Sequence, residues 1–415
     1  MNQVISFNYA WNKGYYPAGG AESAYLLIEL QGSGKDKGHA RSPINLSVVL
    51  DRSGSMSGDP LMYSKKACQF VAEQMNGSDL LSLVAFDDHV QTVIPPSAVL
   101  NKDLIKQHIE SIQAGGTTNL SGGLAEGAQH VLRNRQEGRI NRVILLSDGH
   151  ANTGITDRSQ LNAIAKEYRS SGIGISTIGV GDGFDEELME GIAEHGGGNF
   201  YYIDKADGIP GVFEQELEGL LSVAAQNIKL TCSPSEGTQI VGIYGYPSEG
   251  NGEQSLIQMG DIYHNEVKTL LVELSFDPRA AGEHQVLQLS WDYIDVTESA
   301  AACSFSMEVS ASFTTDISLL NEPGSAEVEQ QVGVTKSAKV IEEAIKAFDT
   351  GNTEEGKHLL KIQADELLLM SVVMNSPMLA EESAKLYTHL DNFEYSSRKR
   401  KELNQEKYRR MKRKS

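Results

Sequence analysis

The sequence predicts an α/β fold, a doubly wound and mostly parallel sheet joined to a β-sandwich and a C-terminal helical region. Three observations predict it. Strand-like and helix-like segments alternate from residue 43 to 225, the pattern of a sheet wound on both faces. Two apolar runs inside that stretch, 48–50 and 143–146, read as parallel strands buried on both faces. Short alternating segments separated by turn clusters then fill 226–316, and helical periodicity takes over from 325. A chain of 415 residues exceeds what one hydrophobic core supports, so several domains are expected.

Two strand-like pieces, 4–9 and 24–30, open the chain and have no place in the parallel sheet. Residues 1–42 are therefore expected to join the sandwich of 226–316, which makes the domain at 43–225 an insertion within it. In that domain the first strand is followed by a helix over 60–75 with Pro60 at its start. A hairpin follows at 79–86 and 90–94, then helices at 101–112 and 120–134. The second buried strand precedes a helix at 158–170, a strand at 173–180, a helix at 185–193 and a short strand at 200–203. An amphipathic helix over 207–225 closes the domain, on the spacing of Val212, Phe213, Leu217, Leu220 and Leu221. The sandwich strands are expected at 228–232, 239–244, 255–259, 267–276, 285–293 and 302–309. Helices over 326–349, 353–374 and 378–391 make up the region 325–397, and 344–360 has the look of a single helix–turn–helix hairpin.

The chemistry concentrates where the buried strands stop. The run INLSVVL breaks off at Asp51, Arg52, Ser53, Gly54 and Ser55, which places a carboxylate and two hydroxyls at alternate positions beyond a strand's carboxyl end. Ligands collect there in open α/β sheets. Gly115, Gly116, Thr117, Thr118 and Asn119 lie between helical patterns, where a flexible diglycine brings a threonine hydroxyl near another loop. The strand of RVILLSDG ends in Asp148. Each alone is ordinary turn or cap chemistry. Together they offer hard oxygen donors from three loops, suited to a small hard cation such as Mg²⁺. Asp87, at the hairpin turn, either approaches the cation or serves the turn. His150 either meets a partner's carboxylate, binds metal or is solvated. The run GVGDG at 179–183 lacks the spacing and the lysine of a phosphate loop.

The Asp-x-Ser-x-Ser turn of residues 51–55, the threonine of GGTTNL and the aspartate of LSDG resemble the metal-ion-dependent adhesion site of von Willebrand factor type A domains. The resemblance covers about 44–225. It implies Ser53, Ser55 and Thr118 as direct ligands and Asp51 and Asp148 as ligands through water. Thr118 is preferred to Thr117 because the family's threonine is followed six residues on by a helix leucine, here Leu124, and Thr117 remains the alternative. The implied cation is Mg²⁺, with Mn²⁺ or Ca²⁺ possible. The implied role is non-enzymatic: a protein-binding module or scaffold in which a Glu or Asp of a partner protein completes the cation's shell. The order of segments also resembles bacterial cytoplasmic proteins of this family, arranged like inter-alpha-trypsin inhibitor heavy chains. Two other roles stay open, a regulatory subunit of an ATPase or of a kinase and phosphatase pair, and a metallohydrolase. The last lacks a recognisable His/Asp dyad, Ser/His/Asp motif or second metal cluster.

A net charge of −20 argues against general nucleic-acid binding. The charge is uneven, because 398–414 holds ten Lys or Arg against two acids and leaves −28 on the rest. This basic tail, 398–415, reads as a frayed, solvated helix end, with an acidic partner, nucleic acid, an anionic membrane or the chain's own acidic surface as the alternatives. With only Tyr408 among its charges it offers no stacking platform for bases. Cys68, Cys232 and Cys303 fit neither a disulfide framework nor a zinc spacing. No eighteen-residue apolar run and no signal-peptide pattern appear, which points to the cytoplasm.

Overall fold

The run at 44–50 becomes the central strand of a six-stranded sheet, and its position explains its composition: all eight residues of Ile44–Asp51 are buried. The computed structural model describes residues 4–33, 41–136, 138–181, 183–250, 254–296, 301–390 and 396–412. Three strands come first, β1 (Ile5–Trp11), β2 (Tyr16–Pro17) and β3 (Ala21–Gly32). The α/β domain then runs β4 (Ile44–Asp51), α1 (Asp59–Gln74), β5 (Leu80–Phe86), β6 (Val90–Ala98), α2 (Lys102–Glu110), α3 (Leu120–Arg133) and β7 (Ile140–Ser147). It continues with α4 (Arg158–Ser170), β8 (Gly174–Val180), α5 (Glu186–Gly196), β9 (Gly197–Ile203) and α6 (Ile209–Leu221). Strand order is β6-β5-β4-β7-β8-β9. Every pairing is parallel except β5 with β6. Pro95 and Pro96 sit in β6, an edge strand, where a missing N–H costs no ladder bond.

The sandwich strands are β10 (Val223–Pro234), β11 (Thr238–Tyr244), β12 (Ser248–Gly250), β13 (Ser255–Tyr263), β14 (Val267–Phe276), β15 (Gly282–Asp295) and β16 (Ala301–Thr314). One sheet has the order β1-β3-β14-β11 and the other β12-β13-β10-β15-β16-β2. Strands β2 and β3 thus pair with strands more than two hundred residues later, β16 and β14, and β1 joins through β3. Trp291, Tyr16, Phe276 and Phe313 fill the space between the sheets. The helix expected over 207–225 ends at Leu221, and β10 begins at Val223, ahead of the expected boundary at 226. Val223, Ala224 and Ala225 are all buried. A short wholly apolar run carries no period that tells a helix's last turn from a buried strand.

The C-terminal region holds α7 (Ile317–Leu320), α8 (Ala326–Asp349), α9 (Thr353–Val373), α10 (Pro377–Leu390) and α11 (Ser397–Lys412). Helix α8 lays Val328 and Val332 on Leu27 and Leu271 of the sandwich. The last residues of two expected segments, 391 and 413–415, lie outside the described residues.

The reading of the tail as a frayed, solvated end is overturned. Helix α11 folds back on the chain's own acidic surface, and Lys401, Leu403, Asn404, Tyr408 and Arg410 are buried. Arg400 pairs with Glu186 and Glu187 of α5 and with Asp349 of α8. Lys401 Nζ donates to the Phe184 carbonyl at 2.8 Å and sits 3.9 Å over the Phe184 ring. Asn404 and Lys407 both meet Glu190, at 2.6 and 3.3 Å. Arg410 reaches Glu382 of α10 at 2.8 Å. Tyr408 packs edge-on against Phe200 and joins the α/β core.

On the other side, Arg142 in β7 meets Asp261 in β13 at 2.7 Å and joins the α/β domain to the sandwich. Among the described residues no helix is long and apolar enough to cross a membrane.

Two outcomes follow from this packing. Tyr408→Ala removes a buried ring and is expected to lower stability by on the order of 3 kcal/mol in urea denaturation. Lys385→Ala, which removes an exposed lysine paired with Glu381 and Glu382 of its own helix, is expected to change it by less than ~0.5 kcal/mol. His389 gives the second outcome. Burial pushes its imidazole from 6.5 down to about 4, with Lys399 and Arg410 acting in the same direction and Glu402 against it. The folded protein holds the neutral ring, so unfolding takes up a proton in that window. The stability that this group contributes is complete above pH 6.5 and is lost as pH falls toward about 4. Denaturation curves across the window are expected to show a slope that His389→Gln flattens.

Candidate functional site

Asp51 ends β4 between two parallel neighbours, with no exposed surface. A buried carboxylate needs donors, and it has them. Its Oδ1 accepts from the Ser53 N–H at 2.8 Å, and its Oδ2 accepts from the Ser147 hydroxyl of β7. The first bond turns the chain so that Ser53 and Ser55 point to the same place, their Oγ atoms 3.2 Å apart. Ser55 Oγ then donates to Asp148 Oδ1 at 2.8 Å. Two carboxylates and two hydroxyls from two strand ends thus form one connected group.

The diglycine loop brings the third hydroxyl. It clasps the first loop through two backbone bonds, Gly115 N to Arg52 O at 2.7 Å and Gly54 N to Gly116 O at 2.9 Å. A side chain on Gly115 would collide with the Asp87 carboxylate, and one on Gly116 with Asp88. The glycines are there because the hairpin turn presses on them. Thr118 is buried and its N–H donates to Asn152 Oδ1 at 2.8 Å. Seen from Gly149, a β-carbon would lie 3.3 Å from Thr118 Oγ1 and 3.9 Å from Ser55 Oγ. The Thr118 hydroxyl therefore borders the Ser55 and Asp148 group. Thr117 is exposed instead, and its hydroxyl meets Thr153 Oγ1 at 3.1 Å.

Asp87 serves the turn. Its Oδ1 accepts from His89 N at 2.8 Å, its Oδ2 accepts from Gly116 N at 3.3 Å, and Arg52 Nε lies 3.4 Å away. Asp87, Asp88 and His89 bring ligand-type atoms within 4.8 Å of one another, at the rim, with Asp88 and His89 exposed. His150 is exposed beyond Gly149.

Burial raises the proton affinity of both site carboxylates. Asp148 is pushed up to about 6, by burial first and then by the Asp51 charge, against the Ser55 hydrogen bond. Asp51 is raised by burial and by the Asp87 charge, against the bonds from Ser147 and Ser53. Carboxylates in that condition favour a nearby positive charge. The donor set is all hard oxygen, two carboxylates and three hydroxyls, which fits Mg²⁺, Mn²⁺ or Ca²⁺.

Sequence reasoning missed Ser147 and Asn152. Ser147 had a signal, since a polar residue closing an otherwise apolar strand must face something polar. Asn152 had none, because an asparagine in a Gly-rich loop is ordinary turn composition.

Comparison with known proteins bears on the fold. Residues 45–215 match the family model of the von Willebrand factor type A domain. An uncharacterized protein of Synechocystis sp. is 28% identical over 66% of this chain and 68% of its own length. An inter-alpha-trypsin inhibitor heavy chain of Sus scrofa is 26% identical over 43% of this chain, which spans only 21% of that protein. Among solved structures, a von Willebrand factor type A protein from Catenulispora acidiphila superposes with a TM-score of 0.78 at 17% identity, covering 99% of this chain and 97% of its own. At that identity the likeness speaks for the fold alone, and it extends through the sandwich and the helices. Residues 45–215 of the chain are a von Willebrand factor type A domain.

Proposed function

We propose that this chain is a non-enzymatic binding module that captures an acidic side chain of a partner protein, with a divalent cation held by Asp51, Ser53, Ser55, Thr118 and Asp148. The observation that carries the reading is the connected oxygen group itself, assembled from three loops at the carboxyl ends of β4 and β7 and the start of α3. Domains of this family are protein-interaction modules in many relatives. A cation held largely by neutral hydroxyls keeps much of its charge and supplies a coordination position for an outside carboxylate.

The chain's own residues do the rest. Ser147 and the Ser53 N–H hold Asp51 in place at the floor of the site. Asn152 holds the Thr118 backbone, and Asp87 seats the diglycine loop by accepting from Gly116 N and pairing with Arg52. The group is thus positioned before any ligand arrives, which lowers the ordering cost of binding.

Calorimetric titration with Mg²⁺ or Mn²⁺ is expected to show one site in the native protein and none in Asp51→Ala or in Ser53→Ala combined with Ser55→Ala. At a hundredfold excess over its Kd the cation is expected to stabilise the native protein by ~2.7 kcal/mol and those variants by nothing. Pull-down from native extract is expected to capture a partner with the native protein and Mg²⁺ only. Equal capture by native and Asp51→Ala protein, with cation and with chelator, would sink the reading.

A further inference from the structure

The sandwich leaves one long strand edge open. In its six-stranded sheet β16 pairs with β15 along one side, and on the other side it meets only β2, at Phe313 and Thr314. Among the described residues, no strand or loop hydrogen-bonds the backbone of 301–309 on that second side. An edge of this length is a template for another strand, and proteins that keep one free blunt it with lysine, proline or a bulge. The run AACSFSMEV at 301–309 contains neither lysine nor proline, and its register against β15 is unbroken from Ala301 to Val309. Ala302, Ser304, Ser306 and Glu308 are exposed, whereas Cys303, Phe305 and Met307 pack on the sandwich core. The Phe305 ring stacks on Phe7 of β1 at 5.3 Å.

Which groups face the open side follows from the bonds at its end. Ala18 N, just past β2, donates to the Thr314 carbonyl at 2.9 Å, so Thr314 turns its backbone away from β15. In an antiparallel ladder that direction alternates along the strand, and residues 302, 304, 306, 308 and 310 therefore share it. The one register shift lies on the β15 side, between Gln285 and Leu287, and leaves the alternation of β16 intact. The Ser310 carbonyl is taken by Trp11 Nε1 at 2.8 Å. Ala302, Ser304, Ser306 and Glu308 remain, each with an N–H and a C=O to offer.

The strand that fits these groups is β16 itself, run antiparallel. One register uses all four residues, the one that sets Phe305 opposite Phe305. Ala302 then exchanges bonds with Glu308 and Ser304 with Ser306, which symmetry doubles to about eight hydrogen bonds. The only charge on the exposed face, Glu308, lies opposite Ala302 and not opposite another acid, so no like charges meet. On the inner face Cys303 meets Met307. A shift of two residues one way needs the Ser310 carbonyl that Trp11 holds, and a shift the other way leaves Glu308 opposite a position before Ala301, the first residue of the strand. We infer that the chain forms a two-fold symmetric dimer through β16, centred on Phe305, which joins two six-stranded sheets into one. A two-fold contact is the arrangement in which one edge serves as both halves of the interface.

The test is sedimentation equilibrium of the full chain with chelator present, so that contacts bridged by a cation between copies do not enter. The native protein is expected to show a monomer–dimer equilibrium. Ala302→Lys places an ammonium opposite Glu308 twice in the dimer and is expected to tighten it about fivefold, whereas Ala302→Glu is expected to weaken it by about as much. Ser306→Pro removes an N–H that faces away from β15, so it costs no bond within the chain, and it is expected to be monomeric. If Ser306→Pro does not fold, the two exposed Ala302 variants decide. A native protein that stays monomeric at every concentration overturns the proposal, and the edge is then free or belongs to an extended segment of another protein. A dimer that Ala302→Lys and Ala302→Glu shift alike, or leave unchanged, forms elsewhere and overturns it too.

Discussion

A carboxylate with no exposed surface has to be surrounded by donors, and Asp51 at the end of β4 imposes that demand on everything near it. Its two oxygens take one bond from the chain just ahead of it, Ser53 N, and one from the neighbouring strand, Ser147 Oγ. The first bond bends the loop so that the Ser53 and Ser55 hydroxyls lie side by side, 3.2 Å apart. The second fixes β7 so that Asp148, one residue on, faces Ser55. The diglycine loop is then docked on backbone bonds to Arg52 and Gly54 and braced by Asp87. Each step positions the next through short, directional contacts, so the five oxygens of the candidate site are a consequence of satisfying one buried charge.

A second constraint is topological. The α/β domain interrupts the sandwich, so β3 has to wait for β14, and Leu27 ends up opposite Leu271. Closing so long a loop is costly only if its ends are far apart, and here they are held together. The His264 N–H donates to the Ser222 carbonyl at 2.7 Å, where the chain leaves the inserted domain. Its ring Nδ1 contacts the Ser33 carbonyl at 2.6 Å, next to the point of entry. One residue of the β13–β14 turn thus touches both connections. Ser42 Oγ adds a bond to the Val296 carbonyl at 2.7 Å. An inserted domain whose ends meet disturbs its host little.

What the sequence disclosed follows from the range of the forces involved. Buried parallel strands announce themselves by composition alone, so β4 and β7, and the polar breaks after them, were legible. So were the helices at 326–349 and 353–374, whose periodicity is local. The fate of α11 was not. By local composition a segment reading SRKRKELNQEKYRRMK belongs in solvent, because the sequence holds no sign that Glu186, Glu190 and Glu382 wait for it elsewhere. Ion pairing between segments as distant as Glu186 and Arg400 leaves no periodic trace. Tyr408 was the one local clue, taken as too isolated a ring to stack bases, and it is the ring that enters the α/β core. The entry to β10 was misread for a different reason, since an apolar run with no polar residue has no period to read.

The placement of the two ends of the sheet gives the architecture its functional sense. Arg142 lies near the start of β7 and Asp148 follows its end, and six residues of extended chain at ~3.3 Å each put them about 20 Å apart. The sandwich attaches at the first end, through Arg142 and Asp261, and the candidate site opens at the second. Helix α11 reaches the site's side of the sheet only as far as Phe184, whose carbonyl and ring Lys401 holds. Loops 52–55, 115–118 and 148–150 are therefore left to face outward while the domain behind them is fixed on two sides. A module that captures a partner's side chain needs both conditions, a preorganised group and an unobstructed approach. The described residues that flank the inserted domain, Ser42 and Ser222, both bond the sandwich at the end of the sheet away from Asp51 and Asp148.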